Sequence, residues 1–114
     1  MDANEYSDAM YTSYAQQPTC VFFNHQGKTL VQALFTDDES LLISVPVGGR
    51  PKVEYGLRKA GWAKNENCME KTLSGEPENV VGSSADIIVG LMASLNVPIG
   101  KVDIDTQKMD WDWN

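Results

Sequence analysis

Three short segments of alternating apolar residues, separated by polar turns, constrain the fold of this chain more than any other feature. Residues 19–24 and 29–36 flank a turn at 25–28 that contains Gly27, and a third segment, 40–46, follows an acidic turn. Alternate residues of a strand point to opposite faces, so each segment is expected to bury one side. Such segments around a short glycine-containing turn are typical of antiparallel strands. The pattern predicts a hairpin over 19–36, extended by a strand over 40–46.

A first helix is predicted over residues 1–17. Asp2 and Glu5 have the spacing of a capping box, and apolar side chains then recur at every fourth position: Tyr6, Met10 and Tyr14. Because this apolar face is narrow, we expect the helix either to dock weakly on the body or to serve as an arm. In the second case, those three residues would contact a partner.

A second helix is predicted over residues 84–95, capped by Ser83 and Ser84 and stopped by Asn96. Beyond Asp86 it contains no charge, and a helix that is apolar on all sides is buried on all sides or covered by another chain. Small residues would let a second helix approach closely. The predicted oligomer interface consists of Gly90, Ala93 and Ser94.

The remaining segments complete an α+β prediction. Residues 51–60 have the spacing of a short helix, residues 62–81 fit helix, strand or loop, and residues 99–105 alternate as a half-buried strand. Residues 106–114 form an acidic and aromatic tail. We therefore expect a single domain over 1–114, with an N-terminal helix and an antiparallel sheet of three to four strands, packed by the helix at 84–95.

A small SH3-like or Sm-like barrel with added helices is the alternative fold. The spacing of one set of residues resembles the first motif of the Sm-like RNA-binding barrels, which also follow an N-terminal helix: Gly27, Lys28, Leu30, Leu34, Asp38, Leu41 and Ile43. This chain has Leu42 where that motif has asparagine and Gln32 where it has a second glycine, and no second motif follows.

Charge disfavours a nucleic-acid or membrane partner and favours a basic protein. Sixteen Asp and Glu against nine Lys and Arg give a net charge of −7, and no Lys or Arg precedes Lys28. No apolar stretch is long enough to span a membrane, and no secretion signal is visible. The expected location is the cytoplasm, or the host cytoplasm if a phage encodes the protein.

The residues that could carry chemistry are few. His25 is the only histidine, and Cys20 and Cys68 form no closely spaced pair, so no metal site and no cofactor are predicted. Gly48-Gly49-Arg50 and the helix start at Ser83-Ser84 are compatible with phosphate binding, although an ordinary turn and an ordinary cap are favoured. A small-ligand binder or an enzyme that uses Cys68, His25 or Ser83-Ser84 is one alternative function.

Nucleic-acid binding through residues 50–64 is the other alternative. This segment holds five of the nine bases together with two aromatic rings that could stack on nucleotide bases. The residues concerned are Arg50, Lys52, Tyr55, Arg58, Lys59, Trp62 and Lys64.

The preferred hypothesis is a small protein-binding regulator or inhibitor that acts by contact, without catalysis. Immunity proteins and phage proteins that disarm host machinery, some of them by imitating nucleic acid, belong to this class. The terminal aromatic and acidic residues would enter a basic-rimmed pocket on the partner, because tryptophan is a preferred interface anchor. They are Asp110, Trp111, Asp112 and Trp113. Homo-oligomer formation is compatible with this hypothesis.

Overall fold

The computed structural model describes residues 1–109, which form an α+β fold built on one antiparallel sheet. The elements, in chain order, are α1 (Ala3–Ala15), β1 (Thr19–His25), β2 (Lys28–Asp37), β3 (Ser40–Pro46), α2 (Pro51–Lys59), β4 (Ala63–Asn65), β5 (Cys68–Ser74), α3 (Pro77–Ser94), a 3-10 turn (Ile99–Lys101) and β6 (Asp103–Lys108). The strand order is β4-β5-β3-β2-β1-β6. The predicted fold class is confirmed.

The predicted meander is present, and its first turn explains why the strands reverse where they do. Gln26 and Gly27 both have positive φ, at 52° and 76°, as a two-residue type I′ hairpin turn requires. This turn matches the twist of β1 and β2 and pairs His25 with Lys28. Asp37 then pairs with Ser40 at the start of β3.

The sheet has six strands, so the prediction of three to four was too low. Strands β4 and β5 lie within the segment that the sequence left open, where most side chains are exposed and apolar alternation is weak. The last strand begins at Asp103, because residues 99–101 form the 3-10 turn. The barrel alternative is wrong, since β4 and β6 are the two free edges of an open sheet.

The three helices share one hydrophobic core with a single face of the sheet. The strands contribute alternate residues to this core, as their burial patterns show. The largest side chains that solvent does not reach include Phe23, Phe35, Met10, Leu41, Ile43 and Met69. A continuous core of this kind is the expected main source of stability in a domain of about 100 residues.

Helix α1 is part of this core, so the prediction of a partner-binding arm is wrong. The Tyr6 ring stacks on Phe23 at 5.7 Å between centroids, Tyr14 meets Phe35 edge-on at 5.3 Å, and Met10 is fully buried. The ammonium group of Met1 donates hydrogen bonds to the carbonyls just before β6, which holds the N-terminus against the sheet. The Asp2 capping box is confirmed.

Helix α3 begins at Pro77 rather than at Ser84, and proline is favoured in the first helical turn. Ser84 is therefore a buried mid-helix residue, whose hydroxyl bonds the Val81 carbonyl and the Tyr6 hydroxyl. Burial raises the pKa of Tyr6 to about 12, so this phenol remains neutral. The helix is not buried on all sides, because Val89 is 51% exposed.

Replacing Met10 with alanine tests the role of α1. Met10→Ala should lower the free energy of unfolding by about 2–5 kcal/mol, because it leaves a cavity among fully buried side chains. Tyr11→Ala, at a neighbouring exposed position, should change it by less than about 0.5 kcal/mol. Urea unfolding of both variants measures the difference. Equal effects would mean that α1 does not contribute to the core.

Candidate functional site

The second face of the sheet carries the clearest candidate surface. The pairing register places one row of side chains across five strands: Gln107, Cys20, Leu34, Leu42 and Thr72. The next row crosses all six strands: Asp105, Phe22, Gln32, Ser44, Glu70 and Ala63. We call these two rows, with Asp103 beside them, the open face. No element within residues 1–109 packs on it, and its apolar residues lie outside the core cluster that the helices share, although Cys20 is only 3% exposed.

The open face has an apolar centre and an acidic border. Phe22, Leu34 and Leu42 lie on the inner strands and are half-buried by their neighbours. Glu70 stands towards one edge, where it accepts hydrogen bonds from Ser44 and Asn65, and Asp103 and Asp105 stand on the other edge strand. The residues that the register assigns to this face include no Lys, Arg or His. A surface of this composition is typical of a contact site.

Sequence reasoning missed this surface, although the signal was present. Residues 20–23 and 41–43 are apolar at every position, not at alternate ones. A continuous apolar run is expected where both faces of a strand are shielded from water. Alternation alone accounts only for the residues of each run that face the core and leaves the residues on the other face unexplained.

The tail residues predicted to bind a partner, Asp110 to Trp113, lie outside the described residues. Tyr6 and Met10 are buried, and Tyr14 is half-buried against Phe35, so these three are core residues. The small residues predicted at an oligomer interface are exposed on α3. Ser94 there donates a hydrogen bond to the Gly90 carbonyl of its own helix. The described residues therefore leave α3 available for contact without showing any.

The fold buries or pairs several residues of the basic segment 50–64. Trp62 is only 7% exposed, so its ring is unavailable for stacking on a nucleotide base. Arg58 and Lys64 both form salt bridges with Glu54, at 3.0 and 2.9 Å, and the hydrogen bond from Lys64 lowers the pKa of that carboxyl. Lys59 lies 5.3 Å from the centre of the exposed Tyr55 ring. Lys52 is also exposed.

His25 and Arg50 come together at one end of the sheet, although they are far apart in sequence. With Lys28 they line a cleft of about 500 Å³ between the β1–β2 turn, the start of α2 and the end of α3. We call this the basic cleft. By contrast, the helix start predicted at Ser83-Ser84, which would have been compatible with phosphate binding, is not present, because these residues are inside α3 and not at its N-terminus.

Neither cysteine has the surroundings of a nucleophile. Burial raises the pKa of the Cys20 thiol to about 11. Partial burial, followed by the charges of Glu70 and Glu66, also raises the pKa of Cys68. Both shifts oppose thiolate formation, whereas activated cysteines have lowered pKa values. Within residues 1–109 no three His, Cys, Asp or Glu side chains are placed to hold a metal ion.

Comparisons with family models, with curated proteins and with solved structures found no match to this chain. Among residues 1–109, no helix combines the length and apolar character that crossing a membrane requires.

Thiol reactivity tests the electrostatics of the two cysteines. At pH 8.5 less than about 1% of Cys20 should be thiolate, against about half for an ordinary thiol, so native Cys20 should react slowly with a disulfide reagent. Its rate should rise as the pH increases towards 11, because a raised pKa moves ionisation to higher pH. Cys68→Ser isolates Cys20, and Cys20→Ser isolates Cys68. A fast native rate at pH 7 for either thiol would contradict the raised pKa.

Proposed function

We propose that this protein is a binding regulator or inhibitor that acts by contact with another protein, and that the open face is its contact surface. The observation that supports this most directly is the combination of an apolar centre, on which no element of residues 1–109 packs, with an acidic border free of bases. The partner it fits has an apolar patch bordered by Lys or Arg side chains. Apolar burial would supply affinity, and the opposite charges would supply orientation and a fast association rate.

The geometry of the open face is suited to such a contact. It is formed by side chains that stand on neighbouring strands about 4.8 Å apart. Phe22 and Leu34, on adjacent strands, provide the aromatic and aliphatic contacts that commonly dominate binding energy. The rigid backbone of the sheet keeps these side chains in place, so little ordering cost arises on association.

The C-terminal tail, residues 110–114, is also part of the proposed contact. Residues 110–114 follow Met109, the residue after β6, and they add two acids and two tryptophans. The Met109 amide donates a hydrogen bond to the Pro18 carbonyl, so the described chain ends beside β1. We therefore include Trp111 and Trp113 in the proposed contact, as anchors distinct from the open face.

The same features weigh against nucleic acid as the partner. The open face and the net charge of −7 would both repel a polyanion. In the segment 50–64, Trp62 is buried in the core, and Arg58 and Lys64 are paired with Glu54.

Substitution of the apolar centre tests the proposal. A partner is first captured from native cell extract by crosslinking and purified, and its dissociation constant is then measured by calorimetry. The double variant Leu34→Gln, Leu42→Gln should weaken binding roughly tenfold or more, because it removes buried apolar contact. Val89→Gln, which changes an exposed apolar residue on the helical side, should leave affinity unchanged. Thermal unfolding of each variant verifies that the fold is retained.

Substitution of the acidic border provides a second test of the proposal. Asp105→Asn with Glu70→Gln should lower the association rate and weaken its salt dependence, because screening acts on exposed charges. Undiminished binding by both double variants, or an equal loss in Val89→Gln, would exclude the open face as the contact surface.

Truncation after Met109 tests the tail separately. Deleting residues 110–114 should weaken partner binding roughly tenfold or more, since tryptophans are frequent interface anchors. Trp111→Ser with Trp113→Ser should reproduce most of this loss, whereas Asp110→Asn with Asp112→Asn should affect mainly the association rate. Unchanged affinity in the truncated protein would remove the tail from the mechanism and leave the open face alone.

A further inference from the structure

We infer that the basic cleft is a binding site for a small organic anion, with its oxyanion group near His25, Lys28 and Arg50. Its apolar part would lie in the adjoining groove between α2 and α3. The site is independent of the proposed protein contact, because the cleft opens on the helical side of the sheet and the open face is on the other side.

Three separate parts of the chain form the cleft, and two of them carry its basic side chains. His25 and Lys28 are paired at the two ends of the type I′ turn and share the helical side of the sheet. Arg50 immediately precedes α2, and its backbone amide donates a hydrogen bond to the Val47 carbonyl. The end of α3 and the residues that follow it, Ser94 to Val97, form the remaining wall.

The cleft groups positively charged side chains that form no salt bridge within residues 1–109. No Asp or Glu lines it, and within residues 1–109 neither Lys28 nor Arg50 forms a salt bridge. This contrasts with Arg58 and Lys64, which share Glu54. In a chain with sixteen acids and nine bases, a group of bases without a carboxylate partner is unusual. An added anion would supply the missing partner and form charge-assisted hydrogen bonds.

The end of α3 competes only weakly for these cations. A helix C-terminus carries about half a negative charge, less than the charge of Lys28 and Arg50 together. Its carbonyls also have acceptor roles already, because the Val97 amide bonds the Met92 carbonyl and the Asn96 amide bonds the Ala93 carbonyl. This is a Schellman ending, with Asn96 at φ 58°. The cations are thus not needed to cap the helix.

His25 is held in a defined orientation. Its Nδ1–H donates a hydrogen bond to the Lys101 carbonyl at 3.2 Å, which fixes the ring and its tautomer. Nε2 has no hydrogen-bond partner among the described residues. A fixed imidazole loses little freedom when a ligand binds, so it can help to position one.

The shape of the neighbouring surface indicates that the ligand is more than an inorganic ion. The cleft shares Val53, Ser94 and Leu95 with a groove of about 390 Å³ between α2 and α3, whose other lining residues include Leu57 and Leu91. Volumes of this size are typical of small-molecule sites, which combine apolar walls with a few polar groups. An anion with an attached apolar group would fill both parts.

Titration of the full-length, ¹⁵N-labelled protein with phenyl phosphate tests the site. Amide signals of Gln26, Gly27 and Asn96 should shift with the anionic group, and those of Gly56 and Leu91 should shift with the ring. Inorganic phosphate should shift only the first set. Benzoate replaces phosphate by carboxylate and shows which oxyanion is preferred. Benzyl alcohol, which has no charge, should bind at least about tenfold more weakly than phenyl phosphate.

Matched charge variants show whether the cleft itself binds. Lys28→Gln with Arg50→Gln should weaken phenyl phosphate binding roughly tenfold or more. Lys108→Gln with Arg58→Gln makes the same change in net charge elsewhere, since Lys108 lies at the opposite end of β1 from His25, and should leave binding unchanged. Thermal unfolding checks both proteins. If the first pair proves unstable, Lys28→Gln alone, at an exposed position, serves the comparison.

Three results would overturn the inference. One is the absence of shifts at about 10 mM phenyl phosphate, a concentration above that of ordinary weak binding. Another is shifts scattered over the surface, and the third is an equal loss of affinity in both variant pairs, which would indicate a general charge effect. Loss of cleft binding with intact partner binding would leave the proposed contact function standing.

Discussion

The rest of the structure depends on the packing of three helices against a single face of one antiparallel sheet. Helix α1 supplies Met10 and Tyr6 to this interface, the strands supply Phe23 and Phe35, and α3 completes the layer. Because the helices all lie on the same side, the two faces of the sheet have different surroundings. One face builds the core, and the other remains available for contact within the described part of the chain.

Strand geometry then distributes the charges between these faces. Residues one position apart point to opposite sides, so Asp105 and Glu70 stand on the open face whereas Lys71 and Lys108 stand on the helical side. The bases of the basic cleft also lie on the helical side, near the end of α3. The open face therefore carries acids without bases, whereas the helical side carries both, since Arg58 and Lys64 there pair with Glu54.

The two edges of the sheet are protected by their composition. Strand β4 is only three residues long, and β6 carries Asp103, Asp105 and Lys108 at exposed positions. Short or charged edge strands resist pairing with other sheets. The proposed contact through the open face would therefore involve side chains rather than added strands.

The sequence by itself determined the local elements. Alternation and a glycine turn predicted β1 to β3, and the capping box and four-residue spacing predicted α1, because these signals act between near neighbours. It could not assign β5, whose polar residues form a strand by pairing with β3, nor β4, which pairs with β5, nor the start of α3. Tertiary structure alone decided that Met10 and Trp62 are buried, that Leu34 and Leu42 share a face on which no other part of residues 1–109 packs, and that His25 and Arg50 line one cleft. Each of these features depends on which distant segments of the chain pack together. The periodicity of a single segment does not specify its distant packing partners.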